Sequence, residues 1–307
     1  MRVVEKMIDL SVDIAGIKFK NPILTASGTF GSGKEYSNFI DLNRLGGIIV
    51  KGVSHEPWTG NKPPRVAETY GGMLNSIGLQ NPGAKAFIAD DLPFLRQYDT
   101  KVIVNLCGRT MEEYIAVAGD FEDVEGVDLF ELNISCPNLE KGGLSFGTDA
   151  TVVEQVVSAV KNCVKVPLMV KLSPNVTDIV TIAQAAEAAG ADALSLINTL
   201  LGMAVDIHNR KPVLANTVGG LSGPAIKPVA LRMVYQVAKK VEIPIIGMGG
   251  IMSGADAIEF IMAGAAAVAV GTANFVSPTA TIDILEEAEA FMESQGIQNL
   301  NEVRGII

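Results

Sequence analysis

Short runs of β-branched and aliphatic residues recur along the chain, each followed by a polar loop and usually by a stretch of helical periodicity. They fall at Pro22–Ser27, Gly47–Lys51, Lys101–Leu106, Leu129–Ile134, Pro167–Leu172, Ala193–Asn198, Ile243–Gly247 and Ala266–Gly271. Their apolar character is nearly continuous, as expected of a parallel sheet covered on its outer face by helices. Eight strand–helix units in 307 residues predict a (β/α)8 TIM barrel, with residues 1–307 as one domain. In Ala150–Cys163, Val152, Val153, Val156, Val157 and Val160 form a helical stripe. Thr177 is expected to cap a helix that runs to Ala189, with Gly190 just past its end. Ser253–Asp256 should open a short helix ending near Gly264, and Thr279–Ser294 should form the last outer helix.

Two regions exceed a minimal barrel. Asp9–Ile14 and Ile17–Lys20, around Ala15-Gly16, predict a short N-terminal β-hairpin that covers the barrel's N-terminal end. His55–Pro82 is a long Gly- and Pro-rich insertion after the second strand, and long insertions tend to be functional.

Composition narrows the function classes. Hydrophobic residues make up 48% of the chain, enough for a large core. The formal net charge of -10, with no long run of Lys or Arg, disfavours nucleic acid and anionic membrane as partners. No apolar run reaches the roughly 18–20 residues of a membrane span, and Met1–Lys20 has no apolar signal core. Three cysteines at irregular spacing point to a reducing cytoplasm rather than a disulfide framework. They are too few for a cluster held by four thiolates, and two histidines are too few for a histidine-rich metal site, so no metal site is expected in this chain.

In such barrels the reacting groups sit at the C-terminal ends of the strands. Here those ends carry Lys51-Gly52, Asn105, Asn133 leading to Cys136, Lys171, and Asn198-Thr199. Any one of these groups also suits a plain capping role, but together they converge on one mouth. The seventh strand runs into Gly247–Gly254 with Gly249-Gly250, and the eighth into Gly271-Thr272. Glycines bare backbone N–H groups, and a helix opening near Ser253 adds its positive end, so a phosphate site is expected there, although glycine also serves tight turns. Lys51 and Lys171 suit charge pairing or Schiff-base chemistry. Cys136, between Ser135 and Pro137 ahead of a Gly-rich loop, suits a base or nucleophile. Cys107 and Cys163 fit small buried hydrophobes better. Asn75–Leu79 in the insertion suits either an anion-wrapping turn or an ordinary turn before a helix. His208 is expected in a solvated loop, and His55 and Trp58 receive no role.

Together, Ala26-Ser27-Gly28, Lys51-Gly52, Asn75–Leu79, Asn133–Asn138, Lys171, Asn198-Thr199, Gly249-Gly250 and Gly271-Thr272 resemble the dihydroorotate dehydrogenases, flavin barrels of pyrimidine biosynthesis, over essentially the whole chain. The resemblance implies FMN, contacted by Ser27, Lys51, Gly52, Asn105, Asn133, Lys171, Ile197, Gly223, Gly249, Gly250, Gly271 and Thr272. It implies substrate binding by Lys51, Asn75, Ser76, Ile77, Gly78, Leu79, Asn133, Asn198 and Thr199. In the implied chemistry Cys136 takes a proton from C5 of dihydroorotate while hydride leaves C6 for the flavin. A thiol with a pKa of about 8.5 is then expected to make turnover rise with pH.

The segment Asn138–Gly147 resembles the NAD+-linked class of the family more than the fumarate-using or membrane-associated classes. That class implies a homodimer core joined to a subunit carrying FAD and a [2Fe-2S] cluster, a heterotetramer overall. The alternatives are the fumarate-dependent enzyme, a flavin barrel of the dihydropyrimidine dehydrogenase kind, an inert flavin-holding subunit, and a Schiff-base aldolase.

Overall fold

The computed structural model of the protein describes residues 8–135 and 146–307. The expected hairpin is β1 (Val12–Ile14) and β2 (Ile17–Phe19), turned by Ala15 and Gly16 at positive φ. The barrel begins with β3 (Ile23–Thr25) and β4 (Gly47–Ile49). The insertion then contributes an antiparallel pair, β5 (Val66–Thr69) and β6 (Gly72–Asn75). The barrel resumes with β7 (Lys101–Leu106), β8 (Leu129–Asn133), β9 (Leu168–Lys171) and β10 (Ala193–Leu196). An excursion follows, holding β11 (Leu200–Met203), β12 (Val205–Asp206), β13 (Lys211–Pro212) and β14 (Val218–Ser222). Finally β15 (Ile245–Met248) and β16 (Ala267–Val270) close the ring onto β3. The order β3-β4-β7-β8-β9-β10-β15-β16 is parallel throughout, so each expected barrel strand is present.

Helices cover the outside: α1 (Ala84–Ala86), α2 (Leu92–Leu95), α3 (Met111–Gly119), α4 (Ala150–Lys161), α5 (Ile179–Ala188), α6 (Lys227–Ala238), α7 (Gly254–Met262), α8 (Ala273–Val276) and α9 (Ala280–Gln295). The valine stripe of α4 is buried at all five positions against the outward faces of the strands, and the Asp149 carboxylate caps the helix by accepting from the Val152 amide at 3.1 Å. In α5 the cap is Asp178 rather than the expected Thr177. Its carboxylate accepts both the Val180 amide at 2.9 Å and the Thr181 hydroxyl at 2.8 Å, which fixes the start one residue later. Gly190 follows the helix at φ +94, as expected.

Two further points position the site. Inside the barrel, Ile14 and Phe19 of the hairpin pack with Leu24, Ile49, Ile103, Leu129, Met169, Ala193, Ile246 and Ala267, closing one end with hydrocarbon. Outside it, β5 and β6 join β14 and β11 in a four-stranded antiparallel sheet ordered β11-β14-β6-β5. The strands of the excursion were not expected. They are short, interrupted by Gly219 and Gly220, and their apolar residues Leu201, Met203 and Val218 are exposed, so no buried face marks them in the sequence. Among the described residues, no helix is long and apolar enough to cross a membrane.

Candidate active site

Inward positions recur every second residue along a strand. One step beyond the hydrocarbon ring, the inward residues on five adjacent strands become Lys51, Asn105, Glu131, Lys171 and Ser195, while Ala26, Met248 and Ala269 line the other side. The change from apolar to polar takes one strand repeat and lies at the C-terminal ends of the strands, where chemistry was expected.

These groups are hydrogen-bonded to one another. The Lys171 ammonium donates to Ser27 Oγ at 2.9 Å and lies 3.6 Å from Glu131 Oε2. Asn105 Nδ2 donates to the same carboxylate oxygen, and Ser195 Oγ donates to Oε1 at 2.7 Å. Cys107 Sγ donates to Asn105 Oδ1 at 3.3 Å, and Asn133 Nδ2 points at the same sulfur at 3.8 Å. Asn133 Oδ1 in turn accepts from Asn198 Nδ2 at 3.3 Å and from the Ser135 amide at 3.2 Å. Each amide is thereby locked in one orientation, since its oxygen and nitrogen face partners of opposite need. Cys107 is buried as expected, yet its thiol also bridges the two asparagines, a role its loop position did not suggest.

Lys51 follows β4, and Gly52 beside it lets the chain run close: a Cβ there would sit 2.5 Å from Cys107 Sγ and 3.0 Å from Asn105 Oδ1. Burial pushes the Lys51 ammonium below the ordinary lysine value, the neighbouring Cys107 thiol opposes this, and Arg65 adds to it. Among the described residues, no carboxylate lies within ion-pair distance of Lys51. A half-buried cation with a second cation nearby favours an anionic ligand.

The loop Asn75–Leu79 reaches this same corner. It is strapped to the insertion by Ser76 N–H to Arg65 O at 2.8 Å, Asn61 N–H to Ile77 O at 3.0 Å and Asn61 Nδ2 to Ser76 O at 2.9 Å. Gly78 and Leu79 adopt positive φ, and the Leu79 side chain packs on Trp58 and Cys107. Asn75 Nδ2 donates to Gly220 O at 3.4 Å, and the Ser76 hydroxyl is buried with no partner among the described residues. Thr199 follows Asn198, whose Oδ1 accepts the Thr199 amide at 2.8 Å. Ile197 is buried with its amide on Met248 O at 2.9 Å.

On the apolar side the glycines gather as expected. Gly223, Gly249 and Gly250 have φ values of +106, +123 and +77. A Cβ on Gly250 would meet Lys227 N at 2.6 Å and Gly223 O at 2.9 Å, and one on Gly223 would meet Gly72 Cα at 2.6 Å. Three loops thus meet backbone to backbone. Gly271 adjoins them through Thr272, whose hydroxyl donates to Ser222 Oγ at 2.8 Å. At the start of α7 the amides of Met252 and Ser253 donate to Asp256 Oδ2, and that of Gly254 to Glu287 Oε2 at 2.7 Å. The Asp256 amide donates to Ser253 Oγ at 3.2 Å, so side chains take several of the amides at that terminus.

Cys136 and the segment to Ser145, with most of the Gly-rich loop, lie outside the described residues. Their flanks are joined at the site: Gly147 N–H donates to Ile134 O at 2.7 Å, and the Ser135 amide is held on Asn133. The Ser135 hydroxyl is buried without a partner among the described residues. His208 sits in an exposed turn, as expected. His55 Nδ1 is paired with Asp120 Oδ2 at 2.7 Å, and Arg109 lies 4.0 Å over the Trp58 ring. Cys163 is half-buried, its thiol donating to Ala159 O at 3.3 Å. Sequence reasoning missed Glu131 and Ser195. The available signal was an acidic residue two positions before Asn133 inside an otherwise apolar strand.

The sequence model of the family described as dihydroorotate dehydrogenase matches residues 9–292. A protein of Alkaliphilus metalliredigens named dihydroorotate dehydrogenase B (NAD(+)), catalytic subunit, is 65% identical over 298 residues, covering 97% of this chain and 98% of its own. A protein of the same name from Alkaliphilus oremlandii is 65% identical over 297 residues, covering 97% and 98%. Another from Lachnoclostridium phytofermentans is 59% identical over 300 residues, covering 98% and 100%.

Proposed function

The chain belongs to the dihydroorotate dehydrogenase family, and on that premise we propose that it is the FMN-binding catalytic subunit of an NAD+-linked enzyme that oxidises dihydroorotate to orotate in pyrimidine biosynthesis. The observation that carries this reading is the polar half-ring of the barrel mouth, with one buried and one half-buried lysine and locked amides, next to a shelf of bare glycine backbone.

The residues present fit a flavin mononucleotide. Lys171, Asn105, Asn133 and Ser27 offer donors to a flat heterocycle, and Gly223, Gly249, Gly250, Gly271 and Thr272 offer main chain and a hydroxyl to a phosphate. The apolar side at Ala26, Met248 and Ala269, with Ile197 nearby, suits a hydrocarbon ring edge. When bound, FMN supplies the acceptor for the hydride that leaves C6 of dihydroorotate.

The chain's own groups do the rest. Lys51 and the Asn75–Leu79 loop hold the substrate carboxylate, with the unpartnered Ser76 hydroxyl as a further donor. Asn133, Asn198 and Thr199 orient the ring amides. Cys136, as thiolate, removes the C5 proton. A partner subunit carrying FAD and a [2Fe-2S] cluster would supply the path for electrons to NAD+. The working unit is a homodimer core with two such partners, in the cytoplasm, with residues 1–307 acting as one domain.

The test is a Cys136→Ala variant. It is expected to stay yellow while its anaerobic reduction by dihydroorotate slows at least about 100-fold, the usual worth of a positioned base. An unchanged reduction rate refutes the assignment of Cys136. Purification from the native host, with NAD+ and fumarate assayed side by side, tests the partner and the acceptor.

A further inference from the structure

Glu131 is wholly buried in the barrel interior, and no role for it follows from the chemistry above. An ionised carboxylate there costs several kcal/mol unless charge and hydrogen bonds compensate it. It has both, from three neighbouring strands: Asn105 of β7, Lys171 of β9 and Ser195 of β10. Packing alone does not call for this arrangement, because the preceding inward position of each of these strands is filled by hydrocarbon, at Ile103, Leu129, Met169 and Ala193.

The register explains how it arises. Asn105 is paired across the sheet with Glu131 and Ser195 with Lys171, while Glu131 is itself paired with Met169, so Lys171 and Ser195 stand one inward step further along their strands and meet the carboxylate from there. The carboxylate can only accept, so Asn105 must present its Nδ2 to it and its Oδ1 to Cys107. The same oxygen sets a negative charge 3.6 Å from the Lys171 ammonium, whose other partner is the neutral Ser27.

We propose that Glu131 is a positioning residue for the flavin site: it fixes the Asn105 amide and attenuates the positive field that Lys171 directs at the flavin. The inference rests on the flavin reading above. In this arrangement the reduction potential of the bound flavin is set by the lysine and its buried counter-charge together. A lone ammonium would stabilise the anionic reduced ring more strongly, while the pair moderates that pull.

Glu131→Gln isolates the charge. Its amide oxygen can still accept from Asn105 and its nitrogen can donate to Ser195 Oγ, so the bonds survive while the charge is lost. The measurement is the midpoint potential of the bound flavin at fixed pH by dye-equilibrated reductive titration, beside flavin content and thermal melting. The expected result is a potential above wild type in a folded, flavin-loaded variant. A potential equal to or below wild type overturns the proposal. If Glu131→Gln fails to load flavin, Glu131→Asp, which keeps the charge, is expected to load it with a potential close to wild type. Failure of both to load also overturns it. A yellow wild-type protein that dihydroorotate does not bleach would refute the activity reading while leaving the comparison of potentials valid.

Discussion

Lys51 shows how burial can make a single side chain receptive to an anion. Its ammonium is held below the ordinary lysine value chiefly by burial, so it sheds its proton at a lower pH than an exposed lysine. A bound carboxylate favours the charged form. Binding therefore takes up protons around the depressed value, and affinity falls as pH rises through it. Orotate titrations of the flavin absorbance should show Kd increasing toward alkaline pH, with a flatter dependence in Lys51→Met. That variant should also bind orotate about 10- to 100-fold more weakly at neutral pH, the worth of roughly 1.5–3 kcal/mol for a hydrogen bond to a charged group. Equal pH profiles in the two proteins would remove Lys51 from the carboxylate site. At this scale the sequence was legible where polar residues stand at strand ends, as with Lys51, Asn105, Asn133, Lys171 and Asn198. It was not legible at Glu131 or Ser195. Their meaning comes from inward alternation and from partners on other strands, which a linear run of apolar residues conceals.

Elements were legible in proportion to how much one buried face governs them. The α4 helix is specified by its valine stripe and by Asp149, so both are open to test. Asp149→Ala is expected to cost about 1 kcal/mol through the lost cap, and Val157→Ala about 1–3 kcal/mol through lost burial, both read from urea midpoints. A Val157→Ala protein as stable as wild type would contradict the packing described. The strands at 200–222 escaped notice for the converse reason. β14 pairs with β6, more than a hundred residues earlier in the chain, and local periodicity carries no trace of that pairing. The boundary of α5 moved for a smaller reason, a carboxylate one residue on that captures both an amide and a hydroxyl.

At the scale of the molecule, the barrel is closed at one end by hydrocarbon and polar at the other, and the N-terminal hairpin supplies part of the seal. Phe19 is fully buried among the inward residues. Phe19→Ala is expected to cost about 3–5 kcal/mol, measured as a lowered urea midpoint, with bound flavin retained because the mouth lies at the opposite end. Loss of flavin without loss of stability would contradict that separation. The barrel and its seal were foreseen from the run spacing and the Ala15-Gly16 turn. The side wall was not, although it bears on the site. Through β6 and β14 it links Asn75 to Gly220, and a Cβ on Gly220 would lie 2.1 Å from Thr199 Oγ1. Gly220→Ala should therefore displace Thr199 and raise KM for dihydroorotate more than it lowers kcat. This wall knits two distant crossovers into one ladder of main-chain bonds. Folding has thus already frozen the groups proposed to meet the substrate on that flank, and a guest molecule arriving there has little disorder left to remove.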